Sequence, residues 1–155
     1  MLRAFEQYTG ATQKDITEWS SLSPSDTLIR HQAGRLYAVA SEAIAFGEFV
    51  NLHNVAGVLN IRKANGAAGT VRPAYGYCST TGGIALGAKG EVILSQGLLA
   101  VGGLNPGQAI YLSAVAGAPT TVALTGAGQL EQFLGIGVAA NLAYINISSG
   151  QFIQH

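Results

Sequence analysis

The sequence is short of charge. Charged residues make up 10% of its 155 positions, eight basic and eight acidic, whereas an ordinary soluble domain carries about 25%. The formal net charge is zero, so the chain as a whole does not attract a nucleic-acid backbone or an anionic membrane over a distance. A neutral, charge-poor surface tends to associate with other proteins. We therefore expect protein partners, no nucleic acid and no membrane.

Cysteine and long apolar runs are also scarce. The one cysteine, Cys78, excludes an internal disulfide, and the three histidines do not stand near it at metal-ligand spacing. No metal and no other cofactor is expected. The apolar runs are shorter than the roughly 18 to 20 residues of a membrane span, and residues 1–10 lack the apolar core of a signal peptide. We expect a cytoplasmic protein until it is assembled.

The charges that are present are unevenly distributed. Fifteen of the sixteen charged residues lie within residues 1–91, and the 64 residues that follow contain only Glu131. A charge-poor surface is easily buried against a partner because few ionised groups have to leave water. The pattern predicts that the packing surface lies mainly after Glu91.

Residues 1–26 are predicted to form an N-terminal arm, followed by a β-rich domain in residues 27–155. The arm mixes polar, charged and aromatic residues without a sustained apolar period. Thr12 with Asp15 fits the start of a short helix, because the carboxylate and the hydroxyl can bond the first free backbone N–H groups. The aromatic residues of the arm are Phe5, Tyr8 and Trp19.

From residue 27 the sequence consists of short apolar or alternating runs interrupted by Gly, Asn and Pro, which is typical of many strands with tight connections. The chain has 21 glycines and almost no helical period. We therefore predict an all-β fold, a compact antiparallel β-sandwich or a small β-barrel with an N-terminal arm or short helix. The predicted strands are Thr27–His31, Arg35–Ala40, Glu48–His53, Val58–Lys63, Ala74–Ser79, Gly90–Leu94, Ala109–Ser113, Thr120–Leu124, Gln132–Ala139 and Ala143–Ser148.

Two connections carry specific turn signals. The runs Glu48–His53 and Val58–Lys63 flank Asn54-Val55-Ala56-Gly57, whose Asn and Gly favour a hairpin turn. Pro106 followed by Gly107 predicts a type II turn, since Pro fixes φ at the second position and Gly accepts positive φ at the third.

Catalytic chemistry has few candidates. A triad could be assembled from Cys78 or Ser79 as nucleophile, His31 or His53 as base, and Asp26, Glu42 or Glu48 as acid. None of these stands in a nucleophile motif, and Cys78 follows two tyrosines in an apolar run where a buried, inert thiol is expected. Glu42 and Glu48 are the only close carboxylate pair in the strand region and are typical solvent-facing charges. The Gly-rich run 80–90 lacks the order of a phosphate loop. We predict no catalytic residues.

The only basic concentration is Arg62 and Lys63, with Arg72 nearby. Arg62 and Lys63 are candidate partner-binding residues that would meet an acidic patch. The alternative is a solvated hairpin edge, where basic residues discourage unwanted strand pairing.

Several segments from Ala45 onward, in a region that makes up about two thirds of the chain, resemble the capsid decoration, or cement, proteins of tailed bacteriophages. The segments are Ala45–Leu52, Val58–Ala64, Ala74–Tyr77, Gly90–Leu94, Leu104–Ser113 and Phe133–Ala139. Each is weakly specific alone, and their order makes the set moderately specific. Similar segments occur in phage tail fibres and other virion parts.

The resemblance implies a virion structural protein that is not an enzyme. It would bind the outer surface of a phage capsid and bridge neighbouring major capsid subunits, as a homo-oligomer with a trimer favoured. Its location would be the capsid surface, and the host cytoplasm before assembly. The alternative is a tail fibre or baseplate module.

The arm aromatics Phe5, Tyr8 and Trp19 are candidate anchors for the partner, because a few buried aromatic residues dominate the energy of such contacts. Trp19 fits equally well as a cap on the core of its own domain.

Overall fold

The computed structural model describes residues 28–30, 34–94, 96–147 and 152–155. Within those ranges the chain forms twelve β-strands and no helix, which confirms the predicted all-β fold. The strands are β1 Leu28–Arg30, β2 Arg35–Ala40, β3 Phe49–Val55, β4 Val58–Lys63, β5 Gly76–Cys78, β6 Lys89–Ile93, β7 Gly97–Leu99, β8 Ala109–Leu112, β9 Pro119–Thr120, β10 Leu130–Ala139, β11 Leu142–Ile145 and β12 Phe152–Gln154.

The first half of the described chain closes into a five-stranded barrel. Its strands follow the order β2-β4-β3-β5-β6, and β6 pairs back onto β2. The pairing of β2 with β4 is parallel, whereas the other barrel pairings are antiparallel. Strand β1 adds to β2 outside the closed ring. Alternating side chains of β2 point inward, as the alternating sequence predicts, and they pack with inward residues of the other strands around an apolar interior.

The second half forms an open sheet in the order β7-β11-β10-β8-β9, and β12 pairs with β10. The inner face of this sheet packs against Phe49 and Tyr77, which point out of the barrel. Phe49 and Tyr77 meet edge to face with their ring centroids 6.3 Å apart. A second apolar core therefore joins the open sheet to the barrel wall.

Backbone hydrogen bonds also join the two parts. The N–H of Phe49 donates to the carbonyl of Gly117 over 2.9 Å, and the N–H of Gly117 donates to the carbonyl of Ala64 over 2.8 Å. A side chain at Gly117 would crowd Glu48. The loop between β8 and β9 thus lies directly against the barrel.

The predicted turns are confirmed with one adjustment. Gly107 has φ of 81°, and the N–H of Gln108 donates to the carbonyl of Asn105 over 3.0 Å, as expected of a type II turn. In the hairpin, β3 extends to Val55, so the turn is reduced to Ala56 and Gly57, with φ of 50° and 86°. Positive φ at both central residues defines a type I′ turn.

Some strand predictions were incomplete. Strands β7 and β12 were not predicted, and Thr120–Leu124 was placed too late, because the observed strand is Pro119–Thr120. The sheets were predicted to be antiparallel, whereas the barrel contains one parallel pair, β2 with β4. The predicted N-terminal arm, with its short helix, lies outside the described residues.

Candidate interaction surfaces

The outer face of the second sheet is apolar across four strands. Leu98 of β7 lies opposite Tyr144 of β11, Tyr144 lies opposite Ile136 of β10, and Ile136 lies opposite Ala109 of β8. Residues that pair directly across antiparallel strands point to the same side of the sheet. Leu98 and Ile136 expose 62% and 40% of their surface.

A second apolar row runs beside the first. Phe133 of β10 lies opposite Tyr111 of β8, and their rings meet edge to face with centroids 6.0 Å apart. Ile153 of β12 lies opposite Glu131 of β10 and is 59% exposed. We call the set the outer sheet face. Its members are Leu98, Tyr111, Glu131, Phe133, Ile136, Val138, Tyr144 and Ile153.

The strand period explains why these residues are exposed. Their neighbours along the strands, such as Leu99, Ile110 and Ala143, fill the core beneath the sheet. In β10 the register shifts between Phe133 and Gly135, a bulge that keeps both Phe133 and Ile136 on the outer side.

The outer sheet face holds one acidic side chain, and that side chain has a partner. Glu131 Oε2 lies 3.1 Å from His155 Nε2. The remaining members are apolar or tyrosine. Such a surface can be buried with little loss of charge hydration. It lies after Glu91, and its burial against a partner stays a prediction.

A groove runs between the barrel and the second sheet. It contains a cavity of about 390 Å³ lined by Phe46–Glu48, Ala100–Gly102 and Gly117–Pro119. A smaller cavity of about 300 Å³ adjoins it along the same loop. Apolar side chains and glycines make up most of these walls, and Glu48 is already paired with Lys63 over 2.9 Å. The groove therefore lacks the converging polar side chains of a small-molecule site.

Arg62 and Lys63 are adjacent in β4, and their side chains take opposite faces of the strand. Arg62 Nε donates to Asn51 Oδ1 over 2.9 Å, whereas Lys63 Nζ donates to Glu48 Oε1 over 2.9 Å. The two predicted partner-binding residues therefore do not form one patch. The hairpin-edge interpretation is wrong, because β4 lies between β2 and β3 in the closed barrel.

Arg62 belongs to a polar cluster on the outside of the barrel. Asn51 lies opposite Arg62, and His53 lies two residues further along the same face of β3. Ser41, directly after β2, donates its backbone N–H to the carbonyl of Ile61 over 2.8 Å, which places it beside Arg62. The Ser41 hydroxyl and His53 Nε2 are 2.8 Å apart.

Arg72 and Glu42 complete this cluster. Arg72 Nη1 lies 3.6 Å from Glu42 Oε1, and the same Glu42 oxygen accepts the backbone N–H of Lys63 over 2.8 Å. We call Ser41, Glu42, His53, Arg62 and Arg72 the barrel basic patch. Two guanidinium groups face one carboxylate in it.

The electrostatics of the patch reflect this excess of positive charge. Partial burial lowers the pKa of His53 below its usual value, and the charges of Arg62 and Arg72 lower it further. Glu42 acts in the opposite direction. The pKa of Arg62 is also lowered, first by burial and then by the charge of Arg72. The lowered pKa favours the neutral form of His53 at pH 7. Arg62 remains charged because the ordinary pKa of an arginine lies far above neutrality.

Neither candidate nucleophile, Cys78 or Ser79, has a hydrogen bond to His53 in the described part of the chain. Cys78 is fully buried in the barrel, and burial raises the pKa of its thiol, so the reactive thiolate is disfavoured. The Ser79 hydroxyl lies 3.1 Å from Glu91 Oε1 and bonds no histidine. Asp26 and His31 lie outside the described residues.

The pairing of His53 with Ser41 was not predicted. A serine triad also needs an acid that bonds the far side of the imidazole ring. Within the described ranges, the Ser41 hydroxyl is the only hydrogen-bonding partner of His53, and Glu42 Oε1 already contacts Lys63 and Arg72. Only the spatial neighbourhood of β2 and β3 reveals this pair, since twelve residues separate its members in sequence.

The arm residues Phe5, Tyr8 and Trp19 lie outside the described residues. Their predicted anchoring role stays a prediction.

Comparison with known proteins gives no family. No protein-family model matches the chain, and no curated protein matches it significantly. Within the described residues, no group of three or more His, Cys, Asp or Glu side chains is arranged to hold a metal ion, and no helix there is long and apolar enough to cross a membrane.

Proposed function

We propose that this protein is a structural component of a tailed-phage virion, a decoration protein that binds the outer surface of the capsid and bridges neighbouring major capsid subunits. The observation that carries the proposal is the outer sheet face, an exposed apolar surface that crosses four strands and holds one paired carboxylate. The largest exposed apolar patch of a protein is often a site of interaction with a partner. The capsid is proposed as the partner because several segments of the chain resemble decoration proteins and follow one another in the same order.

The size of the face suits a contact made jointly with other elements. Its exposed apolar side chains amount to on the order of 500 Å², the upper end of what a stable monomer exposes in one patch. A stable interface buries about 800 Å² on each partner. We propose that the arm aromatics Phe5, Tyr8 and Trp19 supply part of the contact area that the outer sheet face lacks, as anchors in the capsid surface.

We further propose that the protein acts as a homotrimer without enzymatic activity, and that it moves from the host cytoplasm to the capsid surface on assembly. The closed barrel supports a passive role. A closed ring of strands leaves few free backbone groups to mispair or to be cleaved. The Cys78 thiol is buried in it, and the hydroxyls of Ser41 and Ser79 each contact another side chain.

The test is the addition of purified protein to capsids that lack decoration. We expect saturable binding at regular positions and a higher melting temperature of the capsid. The variant Leu98→Asp, in the outer sheet face, should weaken binding at least tenfold. The matched control is Leu86→Asp, which introduces the same charge at a leucine that is 70% exposed in a barrel turn and should bind like the wild type.

Absence of saturable binding would refute the decoration role. An elongated trimer that binds purified tails instead of heads would favour the alternative, a tail fibre or baseplate module. Equal loss of binding in both leucine variants would show that the outer sheet face is not the contact.

A further inference from the structure

We propose that the barrel basic patch is a receptor for a carboxylate, an aspartate or glutamate side chain presented by the surface of the partner protein. This inference deepens the proposed function by naming the chemistry of a second contact on another part of the molecule. It rests on that function only for the identity of the partner.

The first support is the fixed orientation of Arg62. Its Nε donates to Asn51 Oδ1 over 2.9 Å, and Asn51 is itself held by a bond from Nδ2 to the carbonyl of Pro73 over 2.8 Å. Asn51 is only 4% exposed, so it cannot rotate freely. In the described part of the chain no acceptor bonds the terminal Nη atoms of Arg62. A guanidinium anchored in this way is ready to make two parallel bonds to a planar oxyanion.

The second support is the local charge. Arg62 and Arg72 are close enough for the charge of one to lower the pKa of the other. One carboxylate, Glu42, lies between the strand and Arg72, and it also accepts the backbone N–H of Lys63. Such an arrangement is left with uncompensated positive charge that a further carboxylate would neutralise. His53 and Ser41 supply a neutral donor and acceptor at the rim.

A nucleic-acid backbone fits this patch less well than a single carboxylate. Phosphate binding along a strand needs an extended row of cations, whereas the patch offers two arginines beside an acidic side chain. Elsewhere on the barrel the bases are paired, since Arg35 bonds Glu91 over 2.8 Å and Lys63 bonds Glu48. The geometry favours a short acidic segment of protein.

The experiment uses the full chain and a hexaglutamate peptide with blocked ends as the probe. Binding is followed by nuclear magnetic resonance of the Arg62 Nε–H group and by the imidazole signals of His53. We expect saturable movement of the Arg62 signal and an increase in the His53 pKa when the peptide is bound. Arg62→Gln should weaken binding at least fivefold, and Arg62→Lys should restore only part of it because the fork geometry is lost.

The matched control is Arg35→Gln, which removes a barrel arginine already paired with Glu91 and should leave the affinity within twofold. If Arg62→Gln does not fold, Arg72→Gln, which lies outside the barrel strands, carries the same expectation. Equal weakening by Arg35→Gln and Arg62→Gln, no saturable shift, or tighter binding of duplex DNA at the same salt concentration would overturn the proposal. Because capsids take no part in this experiment, its failure is distinguishable from failure of the decoration role.

Discussion

The side-chain amide of Gln132 pairs with the backbone of Ala74 as a neighbouring strand would. Ala74 donates its N–H to Gln132 Oε1 over 2.7 Å, and Gln132 Nε2 donates to the carbonyl of Ala74 over 2.8 Å. Gln132 belongs to β10 and is 1% exposed. Ala74 lies in the connection that leads into β5 of the barrel. One side chain therefore satisfies two buried backbone groups across the junction of the two sheets.

Replacement of Gln132 by Leu should destabilise the protein by about 2–6 kcal/mol, because two buried backbone groups would each lose their partner at a cost of about 1–3 kcal/mol. Chemical denaturation measures this change. Gln108→Leu is the control, since Gln108 bonds the exposed N–H of Asn105 and its loss should cost less than about 1 kcal/mol. Equal effects in the two variants would contradict the role of the Gln132 pairing.

Gln132→Glu should make the stability depend on pH. The carboxylate can accept the N–H of Ala74 but cannot donate to its carbonyl, and burial raises the pKa of a carboxyl group. A raised pKa in the folded state means that the folded protein binds the proton more tightly than the unfolded chain. Its stability is therefore greatest at low pH and falls as the pH rises above the unfolded value near 4.3. The free energies of unfolding of wild type and variant, measured from pH 4 to pH 7, test this. A difference between them that does not change with pH would contradict it.

Ala56 is the one described residue other than glycine with positive φ, at 50°. Alanine in this region is strained by roughly 1 kcal/mol, whereas Asn followed by Gly is preferred in type I′ turns. Ala56→Asn should therefore raise the free energy of unfolding by about 0.5–1 kcal/mol. Ala127→Asn, at an exposed turn position with ordinary φ, should give no such gain. A free energy of unfolding of Ala56→Asn no higher than that of the wild type would contradict the assignment of strain to Ala56.

Local pattern predicted much of the fold. The alternation of Arg35–Ala40 and the run Val58–Lys63 match β2 and β4 to the residue, because one buried face fixes both the period and the register of a strand. The sequence left a sandwich and a small barrel as alternatives, because closure depends on the parallel pairing of β2 with β4 and on the pairing of β6 with β2. Strands of three residues, such as Gly97–Leu99, are too short to show an alternating pattern of apolar and polar residues in the sequence.

The candidate surfaces could be predicted only in part. Scarcity of charge after Glu91 predicts a packing surface in that region, and the outer sheet face is an exposed apolar surface there. The adjacency of Arg62 and Lys63 was misleading, because neighbours in a strand point to opposite faces. The meeting of Ser41 with His53 depends on the same long-range pairing that closes the barrel, and no local pattern encodes it.

His53 should titrate below the usual range of a histidine, because burial and two arginine charges lower its pKa. Arg72→Gln should raise that pKa, which titration by nuclear magnetic resonance measures. A lowered pKa in the folded state means that the unfolded chain binds the proton more readily. The contribution of His53 to stability is therefore complete above pH 6.5 and is lost as the pH falls toward the folded-state pKa. His53→Gln should weaken the pH dependence in this window, and an unchanged dependence would contradict the assignment.

The outer sheet face should be free to bind the capsid, with self-association through another surface. Ile136 is 40% exposed, so Ile136→Asp should leave the melting temperature nearly unchanged while placing a charge in the middle of the apolar rows. Burial of that charge against a partner would be strongly unfavourable. We expect Ile136→Asp to bind undecorated capsids at least tenfold more weakly than the wild type, while light scattering gives a trimer for both proteins. A monomeric Ile136→Asp variant beside a trimeric Leu86→Asp control would show that the outer sheet face forms the trimer and not the capsid contact.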